Sequence, residues 1–239
     1  MPMAGEGVRF LQAGFQVPKP LIQLNGKPFF YWATNSLAQL PNVIDVTFVV
    51  LQEHVDKFSI DEWIKKYFPQ AKIVVQPEIW NGAVLTCMLG VTAIEDHHPI
   101  IFNDCDHAFG SRAFASFLQK GQAEVDGGLL TFKSNENKYS YVKYDADGKM
   151  IGTAEKIVVS DDAICGAYYF KSKAEFLKYA QRYLDHCPYQ EFYLSGIYNE
   201  MCQDGKVIQC FETDFHLPFG VPEEYESAKH SEWLKRIES

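Results

Sequence analysis

Met1-Pro-Met-Ala-Gly-Glu-Gly-Val-Arg-Phe10 opens the chain, with Val17-Pro-Lys-Pro-Leu-Ile22 and Asn25-Gly-Lys-Pro28 close behind. Gly5 and Gly7 precede Arg9. Glycine admits positive φ and lets backbone N–H groups come near a ligand, and turns of this kind form nests for anions. Arg9, Lys19 and Lys27 add positive charge, and Glu6 is the only carboxylate in this segment. The reading is a phosphate cradle built from Ala4, Gly5 and Gly7. Two glycines alone fit a surface turn as well, so the cradle rests on the segments that follow it.

Moving outward, apolar periodicity alternates between strand and helix types. Phe29 to Leu40 reads as a helix and Val46-Thr-Phe-Val-Val-Leu51 as a buried parallel strand. Ile60 to Phe68 is a helix stopped by Pro69, Lys72 to Gln76 a strand, and Gly82 to Glu95 a helix opening at a glycine. Pro99 to Asn103 is a strand, Ser111 to Lys120 a helix and Gly127 to Phe132 a strand. This order predicts an α/β fold with a mixed, mainly parallel sheet flanked by helices. Loops after such strands gather at their carboxyl ends, where ligands bind.

After about Lys133 the pattern changes. Tyr139 to Tyr144 and Lys149 to Lys156 read as a hairpin turning at Asp147-Gly148. Ala163 to Phe170 is a strand, Ser172 to Tyr183 and Gln190 to Gln203 are helices, Lys206 to Phe211 is a strand, and Pro222 to Ile237 is a terminal helix. No composition break marks a boundary. The expected organisation is one domain over 1–239, with a nucleotide-binding half at 1–133 and an acceptor half at 134–239.

The 239 residues are 47% hydrophobic and carry a formal charge of −9. That balance argues against nucleic-acid or anionic-membrane partners, which need a basic footprint. The six cysteines form no CxxC pair and read as reduced thiols of a cytoplasmic protein. No apolar run reaches membrane-spanning length and no signal peptide is visible at the N-terminus.

Several motifs carry chemistry. Asp104 and Asp106, in Asn103-Asp-Cys-Asp-His107, follow a buried strand, and residues two apart in extended chain point the same way. Such a pair can share Mg2+ or Mn2+, or merely form a polar turn that caps the next helix. Gln76 ends a strand and its amide can address a base edge, while Gly82 gives a close backbone approach at a helix start. Glu155 can bind ligand hydroxyls and Lys156 a phosphate. Glu191, in Glu191-Phe-Tyr-Leu-Ser195, is a further polar candidate beside an ordinary helix start.

Taken together, these residues resemble the nucleotidyltransferases that make activated sugars and related head groups. That family opens on Gly-x-Gly-x-Arg, then Pro-Lys and Gly-Lys-Pro. Here these are Gly5-Glu-Gly-Val-Arg9, Pro18-Lys19 and Gly26-Lys27-Pro28. Pro-Met-Ala-Gly followed by Arg-Phe resembles a bacterial branch tied to capsule and lipopolysaccharide synthesis. Gln76, Gly82-Ala83, Asp104/Asp106, Glu155-Lys156, Gly166 to Phe170 and Glu191 to Ser195 keep the family's order over nearly the whole chain.

The resemblance implies a three-layer Rossmann-like (GT-A-like) fold and transfer of a nucleotidyl group from an NTP to a phosphorylated small molecule, and Gln76, compatible with a pyrimidine, favours a pyrimidine NTP. The resemblance places Arg9 on the leaving phosphates, Lys19 near the α-phosphate, Gln76 and Gly82 towards the base, and Asp106 with Asp104 on Mg2+. Glu155, Lys156, Gly166 and Glu191 would meet the acceptor, and a homo-oligomer is compatible with it. Two departures stand out. The family has a hydrophobic strand ahead of the glycine loop, and here the loop follows Met1 almost directly, so that strand is expected to be missing. The family's late metal aspartate falls on Pro218, and Asp214 is the nearby substitute expected. A GT-A glycosyltransferase is the competing enzyme reading. Arg9 and Lys19 count against it, because a diphosphate-sugar donor lacks the γ-phosphate such a loop holds. A non-catalytic nucleotide-sugar-binding relative is the third reading.

Overall fold

The computed structural model of the chain describes residues 1–95, 98–121 and 124–238. In the first half, β1 (Pro2–Met3) leads through the short α1 (Val8–Gln12) to a hairpin of β2 (Gln23–Leu24) and β3 (Lys27–Pro28). Asn25 and Gly26 turn that hairpin with φ of 50° and 81°, the left-handed pair that Asn-Gly supplies readily. Then come α2 (Phe29–Ala38), β4 (Thr47–Leu51), α3 (Gln52–Phe58), α4 (Ile60–Tyr67), β5 (Lys72–Gln76) and α5 (Ala83–Gly90). They are followed by β6 (Ile100–Asn103), β7 (His107–Gly110), α6 (Arg112–Lys120) and β8 (Gly127–Lys133).

The second half adds the hairpin β9 (Ser140–Tyr144) and β10 (Met150–Glu155), the long β11 (Asp162–Phe170), α7 (Lys173–His186) and α8 (Leu194–Gln203). It closes with β12 (Ile208–Glu212), β13 (Phe215–Pro218), α9 (Pro222–Ala228) and α10 (Trp233–Glu238).

β1, β4 and β5 form a parallel sheet in that order. A second sheet runs β10–β9–β11–β8–β12, with β6 also on β11. The sheet system is mixed as expected. Its parallel pairs are β1–β4, β4–β5 and β8–β12, and the pairings to β11 are antiparallel. β11 pairs β8 on one edge. On the other it pairs β9 at Ala163 and β6 from Ala167 to Phe170. Register shifts between Ile164 and Tyr168, and Gly166 within that break has φ of 96°. The handover from β9 to β6 opens a gap beside the end of β6.

The strand expected to be missing ahead of the glycine loop is present in short form. Pro2 and Met3 pair with Val49 and Val50, and the Met1 ammonium donates to the Thr47 carbonyl at 2.8 Å. Helix ends follow local chemistry. Ser111 accepts from the Phe114 N–H and Ser172 from the Glu175 N–H, the side-chain capping that satisfies first-turn donors. The expected terminal helix is two helices, because Ser231 accepts from the Trp233 N–H and starts a new one. The expected helix from Gln190 begins only at Leu194. Residues 190–192 are drawn aside, since the Asn81 amide donates to the Gln190 carbonyl and the Val84 N–H to that of Phe192.

Two large apolar clusters fill the body. One joins α2, α4, β4 and α6 through Phe30, Phe48, Ile64 and Phe114. The other joins α5, α7 and α8 through Val84, Phe176, Tyr179 and Tyr198. A smaller cluster of Phe10, Phe29, Trp32 and Phe219 ties the opening loop to the C-terminal segment, with Phe29 and Phe219 rings 4.7 Å apart. No helix among the described residues is long and apolar enough to cross a membrane.

Candidate active site

The turn after β6 is held from below by α2. The Asn103 amide donates to the Ala33 carbonyl, and the Phe109 N–H donates to Ser36 Oγ. From this fixed turn Asp104 and Asp106 project into a pocket of about 230 Å3, which Arg9, Glu155 and Gly166 also line.

Lys19 reaches Asp106 from the opening segment, in the helical turn after Pro18. Its Nζ lies 2.8 Å from Asp106 Oδ2, with side-chain exposures of 27% and 22%. Burial alone would lower the Lys19 pKa, but Asp106 outweighs it and holds the ammonium above its ordinary value. Burial likewise opposes the Asp106 charge, and Lys19 more than offsets that, so Asp106 stays below the usual carboxylate range. Among the described residues Asp104 has no such ion-pair partner. Burial first, and then the Asp106 charge, push it up to about 7.

Two glycines here are steric requirements. A Cβ on Gly166 would stand 2.8 Å from Asp104 Oδ2, and one on Gly220 2.5 Å from Asp106 Oδ2. Gly7, with φ of 66°, leaves room for Lys19, whose Cβ lies 3.0 Å from where a Gly7 Cβ would be.

On the far wall Glu155 accepts from Ser140 Oγ and, at 3.0 Å, from the buried Ser195 Oγ. Lys156 Nζ lies 2.9 Å from the Tyr193 hydroxyl, and Tyr193 lines the pocket.

Other expected residues go elsewhere. Gly5 is exposed, with nothing within 4 Å of where a Cβ would stand, and Ala4 is buried outside the pocket. Lys27 lies over the rings of Tyr31 and Tyr67. Gln76 is 0% exposed. Its amide donates to the Glu78 carbonyl and accepts from Thr86 Oγ1, both at 2.7 Å. It therefore braces the loop from β5 to α5. Gly82 is a glycine because a Cβ there would stand 2.4 Å from the Phe192 backbone nitrogen. Glu191 is exposed away from the pocket lining. Asp214, expected as a metal ligand, instead accepts from Arg112 Nε and N–H at 2.8 and 2.7 Å. The ribbon of β7 and β13 separates them: Pro218 pairs with His107 at the pocket end, and Phe215 with Gly110 at the other.

Pro218 itself lines the pocket, beside residues that sequence patterns left unmarked. Lys138 Nζ and the Tyr139 hydroxyl both reach Glu224, at 2.9 and 2.8 Å, and clasp the hairpin entrance to α9. His107 and His216 lie under the site with ring centroids 5.4 Å apart, and burial pushes His107 down to about 4. Nothing local in the sequence marks these pairs, because their members are far apart in the chain.

The donor set fits a hard cation. Asp104 is a half-buried carboxylate with no ion-pair partner among the described residues, next to a second carboxylate, and a divalent ion held by the two would offset their repulsion. Among the described residues no cluster of three or more His, Cys, Asp or Glu side chains is arranged for a metal. The remaining ligands would come from substrate phosphate and water.

The nucleotidyl transferase family profile matches residues 3–233. The chain belongs to that family. Among solved structures, a nucleoside-diphosphate-sugar pyrophosphorylase from Vibrio cholerae RC9 superposes with a TM-score of 0.81 at 24% identity, covering 97% of this chain and 100% of the other. An inositol-1-phosphate CTP transferase from T. maritima gives 0.77 at 15% identity, covering 100% and 94%. A UDP-glucose pyrophosphorylase complexed with UDP-glucose gives 0.75 at 16%, covering 98% and 97%. These likenesses establish the Rossmann-like nucleotidyltransferase fold. A search of curated proteins gives no match. The fold carries Lys19, from the opening segment, onto Asp106.

Proposed function

We propose that this nucleotidyl transferase moves an NMP group from an NTP, with a pyrimidine base preferred, to a sugar-1-phosphate or a similar phosphorylated small molecule. The acceptor phosphate oxygen attacks the α-phosphorus, the bond from the α-phosphorus to its bridging oxygen breaks, and that electron pair leaves on pyrophosphate. The observation that carries this reading is the Lys19–Asp106 pair beside Asp104, which has no ion pair among the described residues, with Arg9 on the wall of the pocket that both aspartates line.

Such transfer depends on positioning and on stabilising spread negative charge. Arg9 holds the leaving phosphates and Lys19 the α-phosphate. Lys19 is tethered, so its charge needs little reorganisation. Asp106 and Asp104 would hold Mg2+ or Mn2+, which supplies charge neutralisation and phosphate orientation when bound. Glu155, fixed by Ser140 and Ser195, accepts from acceptor hydroxyls. Lys156 at Tyr193 meets the acceptor's charge. The pyrimidine preference draws on the names of the solved relatives and on the sequence resemblance, since the Gln76 amide is engaged internally.

The test is pyrophosphate release with Mg2+, each NTP in turn and a panel of phosphorylated sugars, polyols and amino-alcohols. Release with a pyrimidine NTP and one acceptor class supports the proposal, and no release under any combination overturns it. Pro218, standing where a third carboxylate is expected, favours a second reading: a nucleotide-sugar-binding relative without turnover. Nucleotide-sugar binding by calorimetry with no pyrophosphate release would select that reading.

A further inference from the structure

Glu224 stands in the first turn of α9, where an acidic side chain ordinarily complements the helix dipole. Its neighbour Glu223 already does that from the exposed side. Glu224 turns inward instead. Only 12% of its side chain is exposed, and it lines the pocket of Asp104 and Asp106. A glutamate at this helix position commonly reaches back to the N–H of the N-cap residue, here Val221. Glu224 reaches one residue further, and its Oε2 accepts from the Gly220 N–H at 3.0 Å.

Each oxygen serves a different part of the pocket. Oε2 holds Gly220 against the turn that carries the aspartates. A Cβ on Gly220 would stand 2.5 Å from Asp106 Oδ2, and the adjacent Phe219 N–H donates to the Asp106 carbonyl at 2.9 Å. Oε1 accepts from the Tyr139 hydroxyl at 2.8 Å and lies 2.9 Å from Lys138 Nζ. Tyr139 in turn fixes the acceptor wall. Its carbonyl accepts from the Lys156 N–H at 3.1 Å, and the Lys156 φ of 56° is a strained value for a residue with a side chain. The next residue, Ser140, donates to Glu155. One carboxylate thus joins the residues assigned to the acceptor and the aspartate assigned to the cation.

We propose that Glu224 is a positioning residue for the transfer, setting the separation between the acceptor wall at Glu155 and Lys156 and the Asp106 carboxylate. It works as a bridge and not through its charge. Its contacts use two polar ends of one side chain, and the ion pair with Lys138, itself 32% exposed, adds little. The inference rests on the roles given to Asp106, Glu155 and Lys156 under the proposed function, but its cation readout needs no turnover.

The experiment titrates Mg2+ against Tm for the parent, Glu224→Ala, Glu224→Gln and Tyr139→Phe, and measures pyrophosphate release by each. Glu224→Ala is expected to raise the Mg2+ midpoint and to lower kcat, each about tenfold, as loss of a group that orients a metal-binding side chain does. KM for the NTP is expected to stay within about twofold, since a positioning loss falls on the transition state. Glu224→Gln keeps an oxygen for Gly220 and an amide for the Tyr139 hydroxyl. It is expected to stay within about threefold of the parent in both readouts, because only an exposed ion pair is lost. Tyr139→Phe is expected to raise the Mg2+ midpoint about threefold, the scale of one hydrogen bond. A lower Tm for Glu224→Ala with the parent's Mg2+ midpoint and kcat would mean that these contacts only dock α9, and would overturn the proposal. Equal damage in the Gln and Ala variants would assign the effect to charge and overturn it as well. If Glu224→Ala fails to fold, Tyr139→Phe decides, and an unchanged midpoint there overturns the bridge. A parent that releases no pyrophosphate would count against the proposed function, while the Mg2+ midpoints would still decide the role of Glu224.

Discussion

Lys19 Nζ lies 2.8 Å from Asp106 Oδ2, joining two segments that are 87 residues apart in the chain. The pair puts a fixed positive charge next to the carboxylate expected to hold a cation. A transferring phosphate between them would meet both. Lys19→Ala and Asp106→Asn are each expected to lower pyrophosphate release at least ~100-fold, the scale of removing one preorganised charge contact. Circular dichroism would confirm that the fold survives. Turnover within a few-fold of the parent in either variant removes that residue from the mechanism.

The pH dependence of stability has two opposed parts. His107, held down at about 4 by burial, binds fewer protons folded than unfolded. Its contribution is complete above its ordinary value of 6.5 and is lost as pH falls towards about 4. Burial lowers His54 and His216 in the same direction. Asp104, raised from 3.8 to about 7, has the reverse sign. The folded state binds the extra proton, so stability falls as pH rises from about 4 to about 7, by roughly 1.4 kcal/mol per unit at most. A divalent cation at Asp104 would remove that cost. Thermal melts in Mg2+ and in EDTA are therefore expected to differ more at pH 8 than at pH 5.5. An equal gap at both would mean that Asp104 does not take part in cation binding.

Much of this architecture is legible in the sequence, because single segments carry it. The β-branched run at Val46–Leu51, the Lys72–Gln76 strand and the Ser111 cap each announce themselves within a few residues. What the sequence hides are pairings at long range. β7 and β13 are four-residue strands more than 100 positions apart with no alternating pattern. Lys138 finds Glu224 only once α9 is docked. Gln76 and Gly82 are expected from the sequence to face a base, whereas the constraints visible on them come from Thr86 and the Phe192 backbone. Asp214 is misleading because four residues of chain suggest closeness to Pro218, whereas an extended strand carries it roughly 13 Å away.

Gly82 tests the reading that the loop before α5 is set by packing against residues 190–193. Its φ is 92°, and an added Cβ would meet backbone atoms of Phe192. Backbone cannot move aside like a flexible side chain. Gly82→Ala is expected to destabilise the fold by about 2–4 kcal/mol, seen as a lower denaturant midpoint. A loss below 0.5 kcal/mol, by the scale of ordinary surface changes, would show that the loop relaxes freely.

Asp214 pairs with Arg112, whose side chain is 91% exposed. An exposed pair is weakly stabilising, and neither residue lines the pocket that holds Asp104 and Asp106. Asp214→Asn is expected to leave pyrophosphate release and its Mg2+ dependence within about twofold of the parent, against the ~100-fold loss for a charge at the transferring phosphate. A loss on that larger scale would place Asp214 in the cation site after all.

Pro218 offers the complementary gain. It lines the pocket and pairs with His107, and the Phe219 N–H next to it donates to the Asp106 carbonyl at 2.9 Å. A side chain at this position therefore starts close to Asp106. A third carboxylate there would add an oxygen ligand to a site that has two, and hard cations bind more tightly as charged oxygen ligands accumulate. Pro218→Asp is expected to lower the half-saturating Mg2+ concentration about tenfold, equivalent to about 1.4 kcal/mol. It is also expected to raise the apo protein's sensitivity to alkaline pH, because three carboxylates then repel one another. Titration of Mg2+ against Tm measures both effects without requiring turnover. An unchanged Mg2+ midpoint would show that residue 218 does not face the cation. Asp104 and Asp106 would then have to bind it with substrate phosphate alone.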